Sequence, residues 1–289
     1  MNIGMIGIGL MGHGIASNIM KNKKYSLTFL DHKGNQPTDR LIQAGAKKAD
    51  TIAKTVQGAE VVILCVTGVQ QVEEVIFGNG GIAQNAARNT VILDCSTSLP
   101  DKTKAFAQTL LKSEIELVDA AMTRTPKEAA EGRLNLIVGS SKAQFEKLHP
   151  LMSQFAEVIT HAGDVGSGQA LKLIHNYVSL GYAAIMAQAA AQAEQAGISP
   201  EIFLNVLHAG GGNSVVLERF RPYVTNKDIS GLQFSMSNAA KDIGYFIQAN
   251  GDNAIGSALV DLFCKGIENN GHDKSVLTLI DMLVAEKNL

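Results

Sequence analysis

The chain reads as a doubly wound parallel α/β sheet followed by an all-helical domain. Three observations predict this. Short apolar runs alternate with helix-like segments through the first half of the 289 residues. Those runs carry few charges, as strands buried on both faces of a parallel sheet do. From about Val165 the strand signals stop and only helical patterns follow.

The elements follow in order. "NIGMIGIG" from Asn2 is an apolar strand running into glycines, and "MGHGIASNIMKN" fits a helix. "SLTFLD", "VVILCV", "TVILDCS", "ELVDAAM" and "NLIVGS" are further strands, and "AQFEKLHPLMSQF" is helical. "DCSTSLP" leads into a helix at "PDKTKAFAQTL", with Ser98 expected as its cap. Glycine-rich "HAGDVGSGQ" is the boundary, dividing the chain into 1–164 and 165–289. A long helix from about Gly168 to Gly197 comes next. Ser199-Pro200-Glu201 then supplies a cap, a first-turn proline and a first-turn acid for another helix. "PEIFLNVLHAG", "NAAKDIGYFIQAN", "AIGSALVDLFCKGIENN" and "SVLTLIDMLVAEKN" complete the helical half.

Charge and composition exclude several classes. A net charge of −2 without a basic tail or stripe argues against nucleic acid and membrane surfaces as partners. Cys65, Cys95 and Cys264 have no metal-ligand spacing, so no metal site is expected. Cys65 and Cys95 sit in apolar runs as packed thiols. Sparse cysteines suit a reducing compartment. With no basic leader and no apolar run long enough to span a bilayer, a cytoplasmic location is expected.

Gly7-Ile8-Gly9-Leu10-Met11-Gly12 matches G-x-G-x-x-G between a strand and a helix, the context of a Rossmann-type dinucleotide site. The glycines allow a tight turn and close approach of a pyrophosphate to the helix N-terminus. The next strand ends at Asp31, about where such folds place an acid on the adenosine ribose, with His32 following. No arginine adjoins Asp31, which favours NAD over NADP, although Lys33 lies close by. Val66, which ends the "VVILCV" strand, and Thr67 are expected at the same cofactor, and the hydroxyls of "DCSTSLP" stand at a strand's carboxyl end, where these sheets bind ligands.

Within the long helix, Lys172, His175, Asn176 and Ser179 fall at i, i+3, i+4 and i+7 and form one polar stripe. The spacing leaves two readings open: a solvated face, or a cleft wall on which Lys172 is a general acid.

Four motifs in order, "GIGLMG", "DCSTSLP", "DAAMTRTPKEAAEGRLNLIVGS" and "KLIHNY" with Lys241-Asp242 downstream, resemble the β-hydroxyacid dehydrogenase family over essentially the whole chain. The resemblance implies hydride transfer between a nicotinamide cofactor and a small anionic aldehyde or hydroxy acid, in a homodimer or homotetramer. It implies Lys172 as proton donor and acceptor, and Asn176 as a substrate ligand. It also implies Ser96 near nicotinamide or substrate, and Lys241 over the cofactor. The family usually has Ser-Gly-Gly where this chain has Thr123-Arg124-Thr125. An arginine there offers a bidentate fork for an anion. In this respect the chain resembles the branch acting on a sulfonated aldehyde, 3-sulfolactaldehyde, although His175 departs from that branch. A carboxylate semialdehyde such as tartronate semialdehyde is the alternative substrate. An imine reductase and a non-catalytic nucleotide-binding regulator are rival readings. Lys172 and Arg124 argue against the first, and the retained Lys172, Asn176 and Lys241 against the second.

Overall fold

The computed structural model describes residues 1–286. Eight strands form one sheet: β1 Asn2–Ile6, β2 Ser26–Leu30, β3 Lys47–Ala49, β4 Val61–Leu64, β5 Val91–Asp94, β6 Glu116–Thr123, β7 Leu134–Gly139 and β8 Ala156–Gly163. Their order is β3-β2-β1-β4-β5-β6-β7-β8. β1 to β6 are parallel, so the order reverses between β1 and β4. That is the switch point at which doubly wound sheets bind ligands. The helices among the strands are α1 Leu10–Ile19, α2 Asp39–Gln43, α3 Ile52–Val56, α4 Val69–Phe77, α5 Ile82–Asn85, α6 Pro100–Leu111, α7 Pro126–Glu131 and α8 Lys142–Met152.

The expected doubly wound sheet is present, and it differs in several respects from the pattern read along the chain. β7 runs antiparallel to β6. Residues 124–133, which join them, are too few for a parallel crossover. β3 and β8 carry no clear strand signal: β3 contains two exposed lysines, and β8 is largely exposed at the sheet's far edge. Ser98 does not cap α6. Leu99 holds the cap position, and the buried Ser98 hydroxyl has no hydrogen-bond partner among the described residues.

After β8 the chain is helical: α9 Ser167–Gln195, α10 Pro200–Ala209, α11 Val215–Asn226, α12 Met236–Asn250, α13 Ala254–Asn270 and α14 Leu279–Glu286. Ser199 caps α10 by accepting from the Ile202 amide, with Pro200 in the first turn. Lys287 and Asn288, at the end of the last expected helix, lie outside the described residues. No helix among the described residues is long and apolar enough to cross a membrane.

The chain divides into two compact units, Met1–Lys172 and Leu173–Leu289. The core of the first packs Ile3, Met5, Phe29, Ile63, Leu93 and Val118 of the sheet against Ile15, Ile19 and Leu148 of the helices. In the second, Leu180, Ala183 and Ala187 of α9 pack with Phe220, Met236, Ile243 and Phe263. The many alanines of α9 let neighbouring helices approach closely without leaving voids.

Candidate active site

The glycine turn after β1 is dictated by backbone contacts. Gly7 has φ +102, and a Cβ there would stand 2.1 Å from the carbonyl oxygen of Cys65. No L-residue with a side chain fits. Gly9 caps α1 with no side-chain hydrogen bond, and no acid lies in the helix's first turn. A Cβ on Gly9 would meet nothing within 4 Å. The result is a helix N-terminus with its positive dipole end uncapped by any side chain and an open face over Gly9, which fits a pyrophosphate. Leu10 is exposed, Met11 half-buried and Gly12 buried.

Two more strand ends converge here. The Cys65 amide donates to Ile6 and the Cys95 amide to Leu64, so the backbone beyond β1, β4 and β5 stays paired past the strands. Val66 N then donates to Ser96 Oγ at 3.0 Å, which ties the β4 loop, with Thr67, to the β5 loop. Burial pushes the Cys65 thiol up to about 12 and Cys95 well above its ordinary value, with Asp94 adding to both. Neither is a thiolate nucleophile.

At the end of β2, exposed Asp31 pairs with Lys48 of β3 at 3.0 Å, and the His32 ring accepts the Gly34 amide.

Buried Thr123 ends β6. Arg124 follows with φ +80, a left-handed conformation that glycine holds without cost. Its Nη1 donates to the carbonyl oxygen of Arg133 and to Glu157 of β8, whose carboxyl it holds below the usual range together with Arg133. Thr125 caps α7 in a reciprocal box: its amide donates to Glu128 Oε2 at 2.9 Å, and its hydroxyl engages the same carboxylate.

Two protein families match consecutive stretches of the sequence. The NAD binding domain of 6-phosphogluconate dehydrogenase matches residues 2–163. The domain described as NAD-binding of NADP-dependent 3-hydroxyisobutyrate dehydrogenase matches residues 166–274. The chain belongs to the β-hydroxyacid dehydrogenase family. It is an NAD(P)-dependent oxidoreductase acting on CH–OH groups. Relatives include the 2-(hydroxymethyl)glutarate dehydrogenase of Eubacterium barkeri, 29% identical over 86% of this chain and 81% of that protein. The 3-sulfolactaldehyde reductase of Escherichia coli is 27% identical over 84% of this chain and 80% of its own length. The same fold occurs in the crystal structure of 3-hydroxyisobutyrate dehydrogenase from Salmonella typhimurium, with TM-score 0.85, 22% identity and coverage of 97% and 99% of the two chains.

In this β-hydroxyacid dehydrogenase the polar stripe of α9 divides by burial. Lys172 is 7% exposed and Asn176 4% exposed, whereas His175 is exposed and Ser179 half-buried. Lysine is rarely buried unless it has a specific use or partner. Asn176 Nδ2 donates to Asp242 Oδ2 at 2.6 Å, and Asp242 Oδ1 lies 3.3 Å from Lys241 Nζ. The donor role of Nδ2 makes Asn176 Oδ1 an acceptor, so His175 Nδ1, 3.0 Å away, is the protonated ring nitrogen. Ser179 donates to the Asn176 carbonyl at 3.4 Å.

Apart from Asp242, read as part of the Lys241-Asp242 pair, sequence reasoning missed the residues that hold these groups in place. Asp94 Oδ1 accepts the Ser96 amide at 2.9 Å. Asp119 accepts the Gly166 amide at 2.7 Å and the Gln169 amide at 2.8 Å. Gln169 bonds the Ser96–Ser98 turn, and Asp242 fixes Asn176. Burial pushes both Asp94 and Asp119 up to about 6, against the pull of those amides. Gln169 had a usable signal: it precedes Lys172 by one turn on the same helix face. Asp94 and Asp119 had only their place in otherwise apolar strands.

Proposed function

We propose that this protein is an NAD-preferring reductase of small acidic aldehydes, interconverting them with the corresponding hydroxy acids, with Lys172 as general acid and base. The observation that carries this reading is the burial of a lysine in the first turns of α9, one turn after a glutamine bonded to the strand-end loop. When bound, the nicotinamide supplies the hydride for reduction and takes it up in oxidation. Lys172 Nζ gives its proton to the carbonyl oxygen as that oxygen becomes a hydroxyl, and takes it back in the reverse direction. Asn176, its amide fixed by Asp242, holds the same oxygen. His175 and Ser179 border it.

Gly7, Gly9, Leu10, Met11 and Gly12 would hold the pyrophosphate, Asp31 and His32 the adenosine ribose. Val66, Thr67, Ser96 and Lys241 would hold the nicotinamide side. The Asp31 carboxylate disfavours a 2′-phosphate, and Lys48 and Lys33 moderate that preference.

Ser96, Thr123 and Arg124 would receive the acid group, while Thr125, expected there too, spends its amide and hydroxyl on Glu128 and holds the turn. Anchoring of Arg124 Nη1 leaves Nε and Nη2, with three N–H groups, as a fork suited to a sulfonate. A carboxylate semialdehyde is the second reading, because the engagement of Glu157 lowers the net charge the fork presents. Steady-state assays with NADH, comparing 3-sulfolactaldehyde with tartronate, methylmalonate and succinate semialdehydes, separate the two. With the preferred aldehyde, Lys172→Ala is expected to lose at least ~10²-fold in kcat while binding NADH normally. Near-normal turnover by that variant would remove Lys172 from the chemistry.

A homo-oligomer is also proposed. Ile174, Val178, Tyr182 and Ile185 expose an apolar stripe along α9, as a contact surface would. Light scattering should return at least a dimer, and a monomeric mass would exclude it.

A further inference from the structure

We propose that Gln169 is a positioning residue that sets Lys172 against the strand-end loop at the cofactor, an inference that rests on the reading of Lys172 above. Gln169 is wholly buried, and each polar group of its side chain is used. Its Oε1 accepts from the Ser98 amide at 2.9 Å, and its Nε2 donates to the Ser96 carbonyl at 2.8 Å. One side chain thereby grips both ends of the Ser96–Ser98 turn. The same Ser96 accepts from Val66 N through its hydroxyl and donates its amide to Asp94. The loops after β4 and β5 and the first turn of α9 form one hydrogen-bonded unit.

The other end of the linkage is equally held. The Asp119 carboxylate takes the Gly166 and Gln169 amides, two of the donors a helix start leaves unpaired, and complements the helix dipole. Asp119 thus holds the backbone amide of Gln169, and the loop holds its side chain. Lys172 lies one turn on, over the same face. A shift of the strand-end loop therefore moves the lysine with it. A generic helix cap would need only the Asp119 contacts. The amide clamp on residues 96–98 is an addition that fastens the helix to the particular loop where doubly wound sheets bind their ligands.

The clamp has a chemical signature that a packing role lacks. Gln169→Glu keeps the shape and still accepts from Ser98, but an ionised carboxylate cannot donate to the Ser96 carbonyl. Protonation of the introduced carboxyl restores a donor. Gln169→Leu removes both bonds at every pH. The other ionisable groups of this region, Asp94, Asp119, Lys172, the thiols of Cys65 and Cys95, and Lys104, whose side chain packs at Gly166, are common to wild type and the two Gln169 variants.

The test measures kcat, KM and NADH affinity from about pH 5 to about pH 9 for wild type, Lys172→Ala, Gln169→Glu and Gln169→Leu. The substrate is the aldehyde that wild type turns over fastest, and circular dichroism records the folded fraction. At about pH 8, Gln169→Glu is expected to lose at least tenfold in kcat, with KM and NADH affinity within about threefold of wild type. Its activity should recover toward wild type as pH falls below about 6, and Gln169→Leu should show no such recovery. A folded Gln169→Glu whose pH profile parallels wild type would overturn the inference. If that variant does not fold, Gln169→Leu decides: a folded, fully active leucine variant overturns the inference, and a folded one depressed at every pH with NADH affinity retained supports it. Losses that only track the folded fraction count against it. Turnover kept by Lys172→Ala would sink the reading of Lys172 itself. A dead Lys172→Ala beside a Gln169→Glu that parallels wild type would sink the clamp alone.

Discussion

Three single residues show what local geometry demands. Gly7 is excluded from bearing a side chain by its positive φ and by the Cys65 carbonyl, whereas Gly9 faces open space. The two glycines of one motif should therefore fail differently. Gly7→Ala is expected to cost at least about 2 kcal/mol of stability. Gly9→Ala should cost no more than about 1 kcal/mol yet weaken NADH binding about tenfold, because only an approaching pyrophosphate contests that space. Urea unfolding and fluorescence titration of both variants distinguish these outcomes, and equal losses of stability would contradict them. Arg124 shows the opposite case. It holds a left-handed conformation without being glycine, and the bonds of its guanidinium to Arg133 and Glu157 fix a backbone that it would not choose alone.

At the scale of elements, α1 and α7 are joined by one buried side chain. Asn18 Nδ2 donates to the carbonyls of Gly14, Ala129 and Ala130. It connects the helix that follows the glycine turn to the helix that follows the Thr123–Thr125 segment. Asn18→Ala should destabilise the protein by about 2 kcal/mol, since it removes the buried side-chain hydrogen bonds that join the two helices. A loss under about 0.5 kcal/mol in urea unfolding would mean that water replaces the amide freely. The strands most visible along the chain, β1, β2, β4, β5, β6 and β7, are those with buried apolar runs. β3 and β8 were illegible because edge strands are short, charged or exposed, which also protects the sheet from pairing with another chain.

For the whole molecule, pH acts through opposing sets of carboxylates. Asp94 and Asp119 hold their protons in the folded state up to about 6, above the value in an unfolded chain. Between about pH 4 and about pH 6 the folded state thus binds more protons than the unfolded one at these sites. Their contribution to stability is present at low pH and is lost as pH rises through that window. Glu157 and Glu218, held low by arginines, contribute in the reverse sense: their stabilisation is present above the ordinary carboxylate range and is lost as pH falls. Asp94→Asn retains an acceptor for the Ser96 amide and removes one proton site. Its stability relative to wild type should improve as pH is raised from about 4 to about 7. A difference that stays constant across urea titrations at several pH values would refute the assignment.

By itself the sequence determined the order of the main elements, the glycine turn, the change from mixed to helical architecture and the polar stripe of α9. Each of these is local: periodicity, turn chemistry and i, i+3, i+4 spacing act over a few residues. It also showed, through ordered motifs, which residues are candidates for chemistry. Only tertiary structure decided that Lys172 and Asn176 are buried while His175 is exposed, that Arg124 meets Glu157, and that β7 reverses direction. The same holds for Asp119 and Gln169, whose partners lie many residues away in the chain. Pairings across such separations depend on how the whole sheet and its helices pack, and no short window of sequence contains that information.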